Sequence, residues 1–186
     1  MMATSPAERD VIAHHESGHG LVAYLFGAVR DASIIQDGDS LGRVHYVPPS
    51  MWQWYERTSS GLLVRIRALD IDPELLILAA GPEAETMFTG ERNEEHARDD
   101  RKRAWELVNT ISAETLGLRP SEWPRTRHRR KGHLDSKRSR ARELLRSHES
   151  DLGAFAETLL TEKFMSAEAV DQFLGSRSIA DDRIQE

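Results

Sequence analysis

A chain of 186 residues, 39% hydrophobic and 30% charged, with a formal net charge of -6 and a mean hydropathy of -0.56, can bury one core or two small packed halves and reads as a polar globular protein. It has no cysteine, which excludes disulfides, thiolate metal sites and cysteine nucleophiles, so any metal must be held by histidine and carboxylate. The longest apolar runs, around Leu21 to Val29 and Leu75 to Gly81, fall well short of the roughly 20 residues that cross a bilayer; with no signal-peptide pattern at the polar start, the expectation is a cytoplasmic protein without membrane contact, and the net charge argues against nucleic-acid binding by the chain as a whole.

The first element is a helix. Ser5-Pro6-Ala7-Glu8 fits a capping box with proline at the first helical position, and Gly27 is placed to end the helix as its C-cap. Val11, Ile12, His15, His19, Val22 and Phe26 recur at helical spacing and form an inward stripe. That stripe contains the frame His15-Glu16-x-x-His19. Residues four apart sit about 40° apart around a helix and roughly 6 Å along it, so both imidazoles leave the same face and form a two-toothed metal clamp. Neutral imidazoles suit zinc, whose catalytic sites use three protein ligands and keep one position for water. Glu16 stands where a carboxylate can take a proton from that water. A shuffled chain of this composition would carry the frame about 0.03 times, so chance is a poor explanation. The plainer alternative is a helix whose histidines are hydrogen-bonded in the core. His14 points about 100° away from His15 and reads as a helix-flanking histidine or one that supports the site from behind.

Ala32 to Ile35 then reads as a strand, Asp37-Gly38-Asp39-Ser40 as a turn, and Gly42 to Val47 as the returning strand, stopped by Pro48-Pro49. Such a unit either covers the core or offers an edge to an extended peptide, for which Ala32 to Gln36 or its neighbour is the candidate. Met51 to Tyr55, with Trp52 and Trp54, is an aromatic segment suited to packing or to a groove. Helical patterns follow over Ser60 to Leu69 and again from Asp72, read as a cap with Pro73 at the first helical position. Pro82 predicts a kink or break near Gly81, and Gly90 closes the element. After a charged loop, Asp100, Ala104, Leu107, Val108 and Ile111 share one helical face. That alignment turns the Asp100 carboxylate inward and Asp99 away. A buried carboxylate needs a partner, and a third zinc ligand would supply one; an acid favoured by the helix dipole is the alternative.

Residues 125 to 142 hold nine Lys or Arg against one acid, Asp135. No aromatic residue interleaves them to stack bases, so a solvated basic face is the expectation rather than a nucleic-acid site. A long helix from Asp135 or Ser136 carries Ala141, Leu144, Leu145, His148, Leu152, Phe155 and Leu159 at helical spacing, and Ser166 caps a short last helix through Val170 and Phe173. The resulting organisation is a core over residues 5–116, a basic linker over 117–134 and C-terminal helices over 135–175, one domain overall, with a disordered tail over 176–186.

Ala13-His14-His15-Glu16-Ser17-Gly18-His19-Gly20-Leu21-Val22-Ala23, then Ser33-Ile34-Ile35 with Leu41-Gly42, Ala80-Gly81-Pro82-Glu83-Ala84-Glu85 with Gly90, Asp100 with Ala104, Gly132-His133-Leu134, and Met165-Ser166-Ala167-Glu168-Ala169-Val170 follow one another in order. In these pieces the chain resembles the peptidase domain of the FtsH-type ATP-dependent zinc metalloproteases, from Pro6 to about Leu174. The resemblance implies a mainly α (α+β) fold: a helical zinc-peptidase domain with a small antiparallel β unit after the first helix and a C-terminal helical bundle. It implies Zn2+ on His15, His19 and an Asp matched here by Asp100, with Glu16 as catalytic base. The family's small-polar-Asn-Asp run is replaced by Glu95-His96-Ala97-Arg98-Asp99-Asp100, which leaves Asp99 and His96 as alternative ligands, and Glu85 as a ligand or a support behind the site. The 186 residues contain no phosphate-binding Gly-rich loop ending in Lys-Ser/Thr. The expectation is a stand-alone, homo-oligomeric zinc endopeptidase acting on unfolded or extended polypeptides, with any ATPase or unfoldase a separate partner. The competing functions are a catalytically silent zinc-binding interaction module and a nucleic-acid-binding accessory using Arg125 to Arg142.

Overall fold

Helix α1 (Pro6–Leu25) is the element around which the rest is packed. From Ile12 to Leu25 every residue except His14 is buried, so this helix is covered on all sides rather than along one stripe. Two glycines make that possible. A Cβ on Gly18 would lie 2.5 Å from the carbonyl oxygen of Ala80, and one on Gly20 would lie 2.7 Å from the Phe155 ring. The Gly-His-Gly sequence therefore lets two neighbouring helices approach the backbone of α1 directly. At its other end Gly27, with φ 63°, donates to Tyr24 O, and Ala28 donates to Ala23 O, each at 2.9 Å. This is the expected left-handed C-cap.

The computed structural model describes residues 6–36, 42–47, 55–57, 63–65, 71–109 and 126–179. Among them the architecture is mainly helical, with a small antiparallel sheet. Strand β1 (Val29–Ser33) begins three residues before the expected Ala32 and pairs with β2 (Arg43–Tyr46), Ala32 opposite Val44. A strand absent from the sequence reading, later in the chain at Phe164–Ser166, pairs with the other side of β1, Ala32 opposite Met165. The strand that was the leading candidate for receiving a peptide is therefore the central one, with both edges taken. The outer edge of β2 is paired with nothing among the described residues.

A two-stranded hairpin follows, β3 (Tyr55–Arg57) with β4 (Leu63–Arg65). The expected helix over Ser60 to Leu69 is overturned at its centre. Val64-Arg65-Ile66-Arg67 alternates apolar and charged residues, and in so short a run that period of two competes with the helical one. Ser5, the turn over Asp37 to Ser40, Pro48-Pro49, Trp52, Trp54 and Ile111 lie outside the described residues.

Helix α2 (Asp72–Thr89) runs without interruption through Gly81 and Pro82, where a kink or break was expected. Glu74, Leu75, Ile77, Leu78 and every residue from Ala80 to Glu85 are buried; α2 packs on α1 and on a basic helix over Thr126–Ser147. That packing outweighs a proline cost of about 3 kcal/mol. Its N-cap is Ile71 rather than Asp72. Asp72 instead binds Lys137 Nζ at 2.5 Å and His133 Nε2 at 2.8 Å; the bonds and charges of these partners outweigh its burial and hold its carboxyl below the usual range. Gly90, with φ 79°, closes the helix as expected and donates to Thr86 O.

Helix α3 (Arg98–Val108) follows a turn, and α4 (Thr126–Ser147) then starts nine residues before the expected Asp135. Residues 126–134, read as linker, are its first turns. The basic run has a structural use: Arg138 and Arg142 reach Glu83, a carboxylate only 1% exposed, which Arg92 also binds. A buried charge is tolerable only when so compensated. The single long C-terminal helix is divided at His148, with φ -121° and ψ 30°, into α4 and α5 (Glu149–Glu162). Ala141, Leu145, Leu152, Phe155 and Leu159 are buried together all the same, because both segments present their apolar stripes to α1. Strand β5 (Phe164–Ser166) leads into α6 (Ala167–Gly175), whose N-cap Ser166 accepts from Ala169 N as expected. Residues 180–186 of the segment read as a disordered tail lie outside the described residues, and its start over 176–179 packs on the fold through Ile179. That side chain is fully buried, and Asp151 Oδ2 accepts from Ser178 Oγ and Ile179 N. Among the described residues no helix is long and apolar enough to cross a membrane.

Candidate metal centre

His15 and His19 leave α1 on the same face, as their spacing requires, and their Nε2 atoms approach to 3.2 Å. Asp100, in the first turn of α3, brings Oδ2 to 3.1 Å from His15 Nε2 and 3.3 Å from His19 Nε2. The three atoms form a nearly equilateral triangle. Zinc at about 2.0 to 2.1 Å from tetrahedral ligands separates them by about 3.3 Å, so the triangle has the edge length of one face of such a site. The remaining nitrogens fix the aim of the rings. His15 Nδ1 donates to Glu85 Oε2 at 2.9 Å and His19 Nδ1 to the backbone oxygen of Ile77 at 2.7 Å, which commits the Nδ1 protons outward and leaves the Nε2 lone pairs facing each other. Lone pairs so placed repel until a proton or a metal ion binds there. Two imidazoles and a carboxylate, with no thiolate, match a zinc site that keeps an open position.

The charges around the triangle make the same demand. Burial lowers the pKa of His15, but hydrogen bonds to Asp100 and Glu85 and the nearby charge of Glu16 outweigh it and hold His15 up at about 10. For His19, burial is again outweighed, chiefly by the Asp100 charge, and the net shift is upward. Asp100 is held well below the usual carboxylate range, its burial overcome by both imidazoles. Groups shifted in these directions favour positive charge between them, and a divalent ion bound there would displace the protons that they otherwise hold.

Glu16 is buried beside the clamp, and burial pushes its carboxyl up against the pull of His15 and His19. Gly42, at the approach to β2, lies over it: a Cβ there would meet Glu16 Cγ at 2.8 Å and Oε1 at 3.0 Å. His14 is off the clamp as expected, bonded to Asp10 O and stacked on Phe88. Of the alternative ligands, Asp99 has a 91% exposed side chain, while His96 and Glu85 bond to each other behind His15. Two contributors escaped the sequence reading. Gly81 leaves the space that the His19 ring occupies, since its Cβ would fall 2.3 Å from Nε2. In the sequence, Gly81 beside Pro82 reads as a helix-breaking pair instead. The Ile77 carbonyl left no signal, because any residue supplies one.

No protein-family model matches the chain. A curated protein does. The chain is similar to the ATP-dependent zinc metalloprotease FtsH 1 of Salinibacter ruber (strain M8). The two are 30% identical over an alignment of 202 residues that takes in 92% of this chain and 27% of FtsH 1. The likeness to FtsH 1 is therefore distant and concerns a minor part of that protein, while running along almost all of this one.

Proposed function

We propose that this chain is a zinc-dependent endopeptidase that hydrolyses unfolded or extended polypeptides. The observation that carries the reading is the convergence of His15 Nε2, His19 Nε2 and Asp100 Oδ2 at tetrahedral-edge distances with Glu16 buried alongside. Zinc held by these three residues would polarise the scissile carbonyl and acidify the attacking water. Glu16 takes the proton of that water and returns it to the departing amine; a carboxyl raised by its surroundings suits both halves of that task. The outer edge of β2 receives the substrate through main-chain hydrogen bonds, which fits an extended chain and not a folded one. Folded substrates would need an ATP-driven unfoldase; the name of FtsH 1 includes ATP dependence.

Casein, an unfolded test substrate, should be cleaved by the zinc-loaded chain. Cleavage should stop on addition of a zinc chelator and return with added zinc. One zinc per chain with no cleavage of casein or of a broad peptide set would overturn the peptidase reading and favour a silent zinc-binding interaction module.

A further inference from the structure

The carboxylate behind His15 is shared between two imidazoles. Glu85 Oε2 accepts from His15 Nδ1, and Glu85 Oε1 accepts from His96 Nδ1, both at 2.9 Å. Glu85 is 2% exposed, so each oxygen depends on a protein partner. His96 is held in turn by its own backbone: Asn93 Oδ1 accepts from the N–H groups of Glu95 at 3.0 Å and His96 at 3.3 Å, and Ala97 N donates to Asn93 O. Four residues later the same segment delivers Asp100 to the triangle. His15, Glu85 and His96 thus link α1, α2 and the turn before α3 through one carboxylate.

We propose that His96 is a positioning residue for the metal centre, acting on His15 through Glu85. The carboxylate's terminal torsion is soft. With one partner, Glu85 could turn about it and carry Oε2 away from His15; the bond to His96 pins the second oxygen and fixes the plane. Oε2 then holds the His15 ring with its Nε2 lone pair on the ion. Without His96 a buried carboxylate oxygen is left unpaired, which is costly, and Glu85 relieves the cost by moving. The proposal rests on the reading of the triangle as a zinc site. It differs from a structural tie between the turn and α2 in what it predicts: metal binding changes, and changes according to the donor at position 96.

The test compares the 186-residue wild type with His96→Ala and His96→Asn, the asparagine offering an amide N–H close to where Nδ1 stood. Zinc affinity is read by competition with a chromophoric chelator, and ligand geometry by the visible absorption of the cobalt-substituted protein. His96→Ala should bind zinc about ten-fold more weakly, the scale seen when such outer partners are removed, with altered cobalt bands, and His96→Asn should recover most of both. Wild-type affinity and cobalt bands in His96→Ala would overturn the proposal, as would equal losses in both variants. If His96→Ala does not fold, His96→Asn decides: near wild-type affinity supports the proposal and a weakened site overturns it. A wild type that binds no zinc ends the zinc reading and this inference together, whereas a zinc-bearing wild type with an unaffected His96→Ala ends this inference alone.

Discussion

Glu16→Gln is expected to keep its zinc and to cleave casein about 10²- to 10⁴-fold more slowly, the range that a positioned general base contributes. Glutamine has the shape of glutamate and fits the same closed space between α1 and Gly42, where a Cβ would already touch the side chain. It cannot accept a proton from water. Zinc content should hold because the clamp is built from His15, His19 and Asp100 and not from Glu16. Rate constants for a quenched peptide substrate, measured beside zinc content on the same samples, separate the two effects. Undiminished cleavage with zinc still bound would remove Glu16 from the chemistry.

Gly81→Ala should abolish tight zinc binding without replacing any residue that offers a ligand atom. The added Cβ would lie 2.3 Å from His19 Nε2, 2.6 Å from Cε1 and 2.7 Å from Cδ2, inside the ring's own volume. The ring cannot flex away: its Nδ1 is bonded to Ile77 O, in the same helix as Gly81. Overpacking of this kind costs about 1 to 3 kcal/mol, relieved only by pushing His19 out of the triangle or α2 away from α1. Chelator competition should show the affinity lost and thermal melting should show a lower midpoint. Wild-type zinc affinity in Gly81→Ala would mean that the packing of α1 on α2 is looser than these distances describe.

Where the sequence carried a strong period or a chemical signature, it led to the structure. The placement of His15 and His19 on one face of α1, the Gly27 and Gly90 caps, the Ser166 cap and the buried positions of the C-terminal helices were all legible, since each depends on residues close together in the chain. What was missed depends on distant partners. Phe164–Ser166 is too short to announce itself and becomes a strand because β1 lies beside it. Pro82 is tolerated because α1 and α4 clamp α2 from two sides, information that no local rule contains. The basic run in α4 takes its meaning from Glu83, a carboxylate more than forty residues earlier in the chain. At the candidate centre, side-chain chemistry pointed to His15, Glu16, His19 and Asp100. The backbone acceptor at Ile77 and the vacant volume at Gly81 have no side-chain signature to read. The choice between Asp99 and Asp100 was a matter of helix phase, and the two side chains do point apart as that phase requires.

The central claim is that His15, His19 and Asp100 together hold one zinc ion. Elemental analysis of the purified wild type beside His15→Ala, Asp100→Ala and Asp99→Ala tests it most directly. One zinc per chain in the wild type and in Asp99→Ala, with loss in His15→Ala and Asp100→Ala, is the predicted pattern. A wild type without zinc, or zinc retained in Asp100→Ala and lost in Asp99→Ala, would contradict it.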